Sequence, residues 1–127
     1  MKPEIEYVIV ADKVILEKET GKPTIIGIFQ GLTMNRGEDS VLLPLTVFTR
    51  IKGVGDNVSS AKIWIEDPKG KPISSVDISG GKVQGSVQLR GIFSLVTFPA
   101  PGKYRIRISL NGNTLDAKDE HSIDIKQ

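Results

Sequence analysis

The chain has 127 residues, 25% of them charged and 39% hydrophobic, with a formal net charge of +2; this is the make-up of one ordinary globular domain over residues 1–127. So small a charge, with Lys and Arg spread along the chain, argues against nucleic acid, whose recognition gathers cations on one face. The absence of cysteine removes disulfides, thiolate zinc sites and thiol nucleophiles, and leans toward a reducing compartment.

Met1 to Tyr7 carries acids where a signal peptide needs an apolar stretch. The longest apolar run, Tyr7 to Ala11, is far too short to span a membrane, so a cytoplasmic protein with no membrane partner is expected. The first strand is read over Ile5 to Ala11 and a short second one over Val14 to Glu17. A Glu19–Pro23 turn follows, with Gly21 available for positive φ. Thr24 to Met34 reads as one strand in which Gly27 and Gly31 mark bulges or close backbone approach.

Asn35 to Ser40 is a polar loop. Leu43, Leu45, Val47, Thr49 and Ile51 then form an inward face, with Pro44 favouring a strand start or an edge. Gly53 to Asn57 turns the chain into a strand from Val58 to Glu66, closed by Asp67-Pro68-Lys69-Gly70, the residues of a type I turn. Pro72 to Ser79 is short and partly polar, and Val83 to Leu95 is a strand with boundaries blurred by Gly85 and Gly91.

The strongest signal follows the Pro99-Ala100-Pro101-Gly102 corner. Tyr104, Ile106, Ile108 and Leu110 alternate there with Lys103, Arg105, Arg107 and Ser109, a period of two that sends one set to a core and the other to water. Asn111-Gly112 is a tight-hairpin turn, Thr114 to Ala117 pairs back, and His121 to Ile125 closes the chain. About eight or nine strands at regular spacing, with no helical period, predict an all-β antiparallel two-sheet sandwich of immunoglobulin-like type. Tyr104, just after a Pro-Gly corner, fits either a tyrosine corner or a plain core tyrosine.

Four stretches in order carry a family resemblance. They are Glu6-Tyr7 with Ala11-Asp12, Ile26-Gly27-Ile28-Phe29, Trp64 to Gly70, and Pro99-Ala100-Pro101-Gly102-Lys103-Tyr104. Together they resemble a bacterial family of small single-domain proteins known only as a domain of unknown function. Its usual pattern is an opening "EY…AD", a central "IGIF", a "DPDG" hairpin and a "PEPGTY" corner. The resemblance implies an immunoglobulin-like sandwich and brings no activity, cofactor or catalytic residue. The chain departs from the pattern at Lys69, where an acid is common, and at Trp64, where a polar residue is usual. The first departure weakens any cation site at the Asp67 turn.

Reactive constellations are not evident. None of the four Gly-Lys pairs, at 21–22, 70–71, 81–82 and 102–103, is followed by Ser or Thr or opens a helix, so hairpin turns explain them better than a phosphate loop. His121 has only carboxylates nearby (Asp119, Glu120 and Asp124), a poor set for a transition metal, and is read as an exposed residue. Asp56, Asp67, Asp116 and Asp119 sit in or near turns, where Asp bonds its own backbone; no Asp-x-Asp-x-Asp spacing supports calcium. No Gly-x-Ser-x-Gly elbow occurs. Neither an enzyme nor a cofactor is expected.

Trp64 is the residue that stands out. Ile63 and Ile65 take one face of their strand, so Trp64 shares the other with Lys62 and Glu66; Phe48 likewise sits off its core face beside Thr46 and Arg50. Were the two strands neighbours, Phe48 and Trp64 would form an aromatic patch bordered by Arg50, Lys62 and Glu66. Such platforms anchor protein interfaces or stack on sugar rings. A loop or neighbouring side chains covering Trp64 is the plainer alternative. The expected function is a non-catalytic module that binds a protein or itself through this face or an exposed sheet edge, with carbohydrate binding as the alternative.

Overall fold

The computed structural model describes residues 3–34, 40–55, 57–82, 85–115 and 121–126. Wherever side chains alternate, the backbone is extended, and no helix forms among the described residues. The strands are β1 (Glu4–Leu16), β2 (Pro23–Ile28), β3 (Gly31–Thr33), β4 (Val41–Val54) and β5 (Asn57–Glu66). They continue with β6 (Pro72–Lys82), β7 (Gly85–Phe98), β8 (Gly102–Leu110), β9 (Asn113–Thr114) and β10 (Ser122–Lys126).

Two sheets result. One has the order β2-β1-β4-β7; the other runs β3-β10-β8-β5-β6, with β9 paired to β8. Neither closes into a barrel, and the inner faces of the two pack on each other as a sandwich. The ladders are antiparallel except that β3 pairs with β10 in parallel.

Three elements differ from their sequence-based boundaries, each for a local reason. β1 is one continuous strand because it changes partners without breaking: Glu4 to Ala11 lie against β4, and Ala11 to Leu16 against β2. The single strand read over Thr24 to Met34 is split between sheets. Gly27, at φ 71°, starts the departure, and the crossing residues touch both layers. Phe29 N donates to Val10 O on one side, at 3.0 Å, and Gln30 O accepts from Asp124 N on the other, also at 3.0 Å. Gly31 is close to the β10 backbone, where a Cβ would lie 2.9 Å from the Asp124 carbonyl oxygen. The third difference is β6, which extends to Lys82. The expected loop at residues 35–39, the start of the Val83 strand and the end of the Thr114–Ala117 strand lie outside the described residues.

The core is built by period-two burial. β8 alternates Tyr104, Ile106, Ile108 and Leu110 inward against Leu45, Val47 and Phe93 of the other sheet. Thr49 is the polar member of that inner face, fully buried, and its hydroxyl donates to the Tyr7 carbonyl at 2.8 Å. That bond satisfies a hydroxyl whose burial unpaired would cost about 1–3 kcal/mol.

Tyr104 resolves as a tyrosine corner and a core residue at once. Its ring is fully buried and meets Phe98 edge-on, with centroids 4.9 Å apart at 83°. Its hydroxyl donates to Ala100 O at 2.7 Å and accepts from Ala100 N at 3.3 Å, tying down the Pro99–Gly102 corner. A corner of this kind is the one immunoglobulin-like domains carry.

Candidate functional site

The shared aromatic patch expected of Phe48 and Trp64 does not exist. β4 and β5 follow one another in the chain, but they belong to different sheets: β4 pairs with β1 and β7, while β5 pairs with β6 and β8. Both side chains point away from the sandwich interior, from opposite sheets, so they lie on opposite outer faces. The physical reason is the inter-sheet core. Both strands carry long inward apolar rows, and these bury more surface facing each other than side by side.

Phe48 is fully buried although it faces outward. It forms a second, smaller apolar cluster with Ala11 and Val14, flanked by Tyr7 and Ile25. The Tyr7 and Phe48 rings lie 6.2 Å apart, tilted by 37°. Past Ala11, β1 leaves β4, and Val14 and Ile25 of the β1–β2 ribbon pack over Phe48. Arg90, opposite Phe48 on β7, reaches back across to donate to Val14 O at 3.2 Å. Arg50 lies nearby but is committed to the surface: its Nε is 3.1 Å from Glu6, and its Nη2 donates to Ser86 at 3.4 Å. An exposed pair of this kind contributes about 0–1 kcal/mol.

Trp64 is half-buried on the outer face of the other sheet, beside the Lys62 and Glu66 expected to accompany it. Its indole Nε1 donates to Glu66 Oε2 at 3.0 Å, and the Lys62 ammonium stands 5.9 Å from the ring centre. An open groove of about 450 Å³ runs along it, lined also by Pro72, Ser75, Ser109 and Thr114. The floor is aromatic and the walls carry hydroxyls and one charge of each sign.

His121 is half-buried rather than exposed, beside an opening of about 250 Å³ between the sheets that Val8, Phe29, Gln30 and Asp124 also line. Its carbonyl accepts from Ile106 N. Asp67 performs turn chemistry: its carboxylate accepts from the amides of Lys69 and Lys71 at 2.9 and 2.8 Å. Asp56, Asp116, Asp119 and Glu120 lie outside the described residues. Among the described residues no three His, Cys, Asp or Glu side chains gather to hold a metal. Three of the four Gly-Lys pairs begin with a glycine at positive φ (Gly21, Gly70 and Gly102), and the fourth ends β6.

What the sequence reading missed is the outer face of the four-stranded sheet. The large apolar side chains left exposed all belong to that sheet's strands, and four of them are more than half exposed: Ile28 at 63%, Ile92 and Leu95 at 57%, and Leu42 at 56%. Register places Ile28, Ala11, Thr46 and Ile92 in one row across β2, β1, β4 and β7. Large residues stand at both ends of that row, and the small Ala11 and Thr46, themselves buried, lie between. Leu42 and Leu95 sit further along, at a bulge where β7 places Ser94 and Leu95 against the single residue Pro44. β7 pairs only with β4, so its other edge has no strand partner among the described residues. A sequence signal existed. Ile25-Ile26, Leu42-Leu43 and Ile92-Phe93 are adjacent apolar pairs, which put apolar groups on both faces of a strand instead of one.

The class the fold and these surfaces define is an open β-sandwich with an apolar sheet face and a polar aromatic groove on its two sides. The chain belongs to a family of unknown function (DUF6941), whose model matches residues 6–119. No curated protein matches it. No helix among the described residues is long and apolar enough to cross a membrane.

Proposed function

We propose that the protein is a non-catalytic interaction module whose docking surface is the free β7 edge and the adjoining outer face of the four-stranded sheet. The observation that carries this reading is the exposed apolar group Leu42, Ile92 and Leu95 beside the β7 edge, which has no strand partner among the described residues. Exposed apolar side chains gathered on one face, next to unpaired backbone donors and acceptors, are what strand-adding partners use. Glu66 bonds Trp64, Asp67 its own turn, Glu6 pairs with Arg50 and Glu4 with Lys52, structural uses of these carboxylates that support a binding rather than a catalytic protein. The cysteine-free composition supports a reducing compartment such as the cytoplasm.

A photo-reactive amino acid at position 92 should give protein adducts in cells, while the same probe at position 75, on the opposite outer face, should give none. Equal yields at the two positions, or none at 92, would remove the reading.

The Trp64 groove supports a second reading, carbohydrate binding, because a half-buried indole edged by Lys62, Glu66 and Ser hydroxyls can stack a sugar and hydrogen-bond its rim. Trp64 is the only tryptophan, so a bound glycan should shift its emission and protect it from acrylamide. An unchanged spectrum across a broad glycan panel disposes of this reading.

A further inference from the structure

We infer that Asn111-Gly112 is a site of spontaneous covalent modification gated by the fold. Asn111 keeps its amide while the β8–β9 hairpin is closed and converts to isoaspartate when the hairpin opens. The inference goes beyond the docking surface and the groove proposed above and depends on neither.

Asn111 is the one asparagine in the chain that precedes a glycine. Gly112 has no Cβ, so its nitrogen is unhindered and its backbone turns freely. In the reaction the Gly112 amide nitrogen attacks Asn111 Cγ. A C–N bond forms, the Cγ–Nδ2 bond breaks, and ammonia leaves with the Gly112 proton, closing a five-membered succinimide. Water then opens the ring. Addition at the former side-chain carbonyl gives aspartate; addition at the main-chain carbonyl gives isoaspartate, whose backbone runs through Cβ and Cγ.

Ring closure requires the Gly112 nitrogen to eclipse Asn111 Cβ about the Cα–C bond, and the fold holds the opposite arrangement. Leu110 pairs with Asn113, so Asn111-Gly112 is a two-residue hairpin loop. Its φ values of 50° and 81° are those of a type I′ turn. That turn is the mirror image of type I, with ψ about +30° at its first residue, which sets the nitrogen nearly opposite Cβ. The ring needs ψ near about −120°, the first-residue value of a type II′ turn. The peptide plane between the two residues must therefore flip.

Asn111 is clamped against that flip. Its Oδ1 accepts from Ser59 N at 2.6 Å, Ser59 Oγ at 2.8 Å and Ser60 N at 3.2 Å. Its own amide donates to Ser60 O at 2.8 Å, so side chain and main chain are both fixed to β5. Three donors on one carbonyl oxygen would stabilise the oxyanion of the attack. Protection therefore comes from the geometry of the turn, and an opened hairpin loses it. Gly112 and Thr114 line the Trp64 groove, so conversion lengthens the wall of that groove by one backbone atom.

The test is peptide mass spectrometry of the whole protein aged at mildly alkaline pH, with and without urea. Native Asn111 should deamidate at no more than about one-tenth of its rate in urea, where isoaspartate should predominate. Asn113→Pro removes the Asn113 amide and restricts Gly112, and should bring the native rate to within about threefold of that variant's own rate in urea. Asn111→Asp keeps an acceptor for all three β5 donors and should unfold at the wild-type urea concentration. The isoaspartate form, separated by its added charge, should unfold at a lower one. Equal native and urea rates in the wild type, or an unchanged native rate in folded Asn113→Pro, would overturn the gate. Equal midpoints for Asn111→Asp and the isoaspartate form would overturn the clamp, and the inference with it, even were Asn113→Pro not to fold.

Discussion

Phe48→Ala should destabilise the protein by about 3–5 kcal/mol, as large a cost as for a residue of the central core. The side chain is fully buried yet belongs to the smaller cluster outside the inter-sheet core, with Ala11 and Val14 around it. Truncation leaves a cavity that the sheet backbone beneath it cannot collapse to fill, so the loss combines transfer and cavity contributions. Urea denaturation should show the midpoint falling with little change in slope, since the surface exposed on global unfolding is nearly the same. Hydrogen exchange should also become faster in Val14 and Ile25, which pack on that ring, than in Ile63 or Ile108 of the main core. A loss below about 1 kcal/mol would mean that the ribbon over Phe48 is not packed as described.

Gly102→Ala should cost about 2–3 kcal/mol, from backbone strain plus a steric clash. Gly102 has φ 150°, and a Cβ there would stand 2.5 Å from Pro68 Cγ, part of a ring that cannot rotate aside. The displaced segment is the corner that the Tyr104 hydroxyl ties to Ala100, so the strain falls on an anchored element rather than a free loop. Gly70→Ala is the control. Its φ of 89° is also unfavourable, but nothing lies within 4 Å of its Cβ, so it should cost about 1 kcal/mol. Similar losses in the two variants, measured by thermal or urea unfolding, would show that the Pro68 contact contributes nothing.

The strands were legible where local pattern alone decides backbone shape. β8 forms over the very residues whose alternation is cleanest, and the Asp67 turn uses its carboxylate as turn chemistry requires. The tyrosine corner was one of two readings of Tyr104, and only the position of Ala100 relative to its hydroxyl showed that the buried ring serves as both. Boundaries failed where a strand changes partner. β1 runs through Asp12 and Lys13 because one partner takes over as the other ends, and Thr24 to Met34 divides because Phe29 and Gln30 bond to different sheets.

The candidate site was half legible. Lys62, Trp64 and Glu66 share a face because alternation within one strand places them there, and the structure adds the indole–carboxylate bond. Phe48 and Arg50 were joined to them on the assumption that consecutive strands pair, and here the chain crosses between sheets instead. Backbone period and turn residues are properties of a few neighbouring positions, so the amino-acid sequence by itself determined the all-β class and the alternating faces of its cleanest strands, β8 above all. Strand neighbours depend on which apolar rows bury most against each other across the whole molecule. Only the tertiary structure could therefore cover Phe48, leave Trp64 half open on the far side, and expose Ile92 on a strand that pairs on one side only among the described residues.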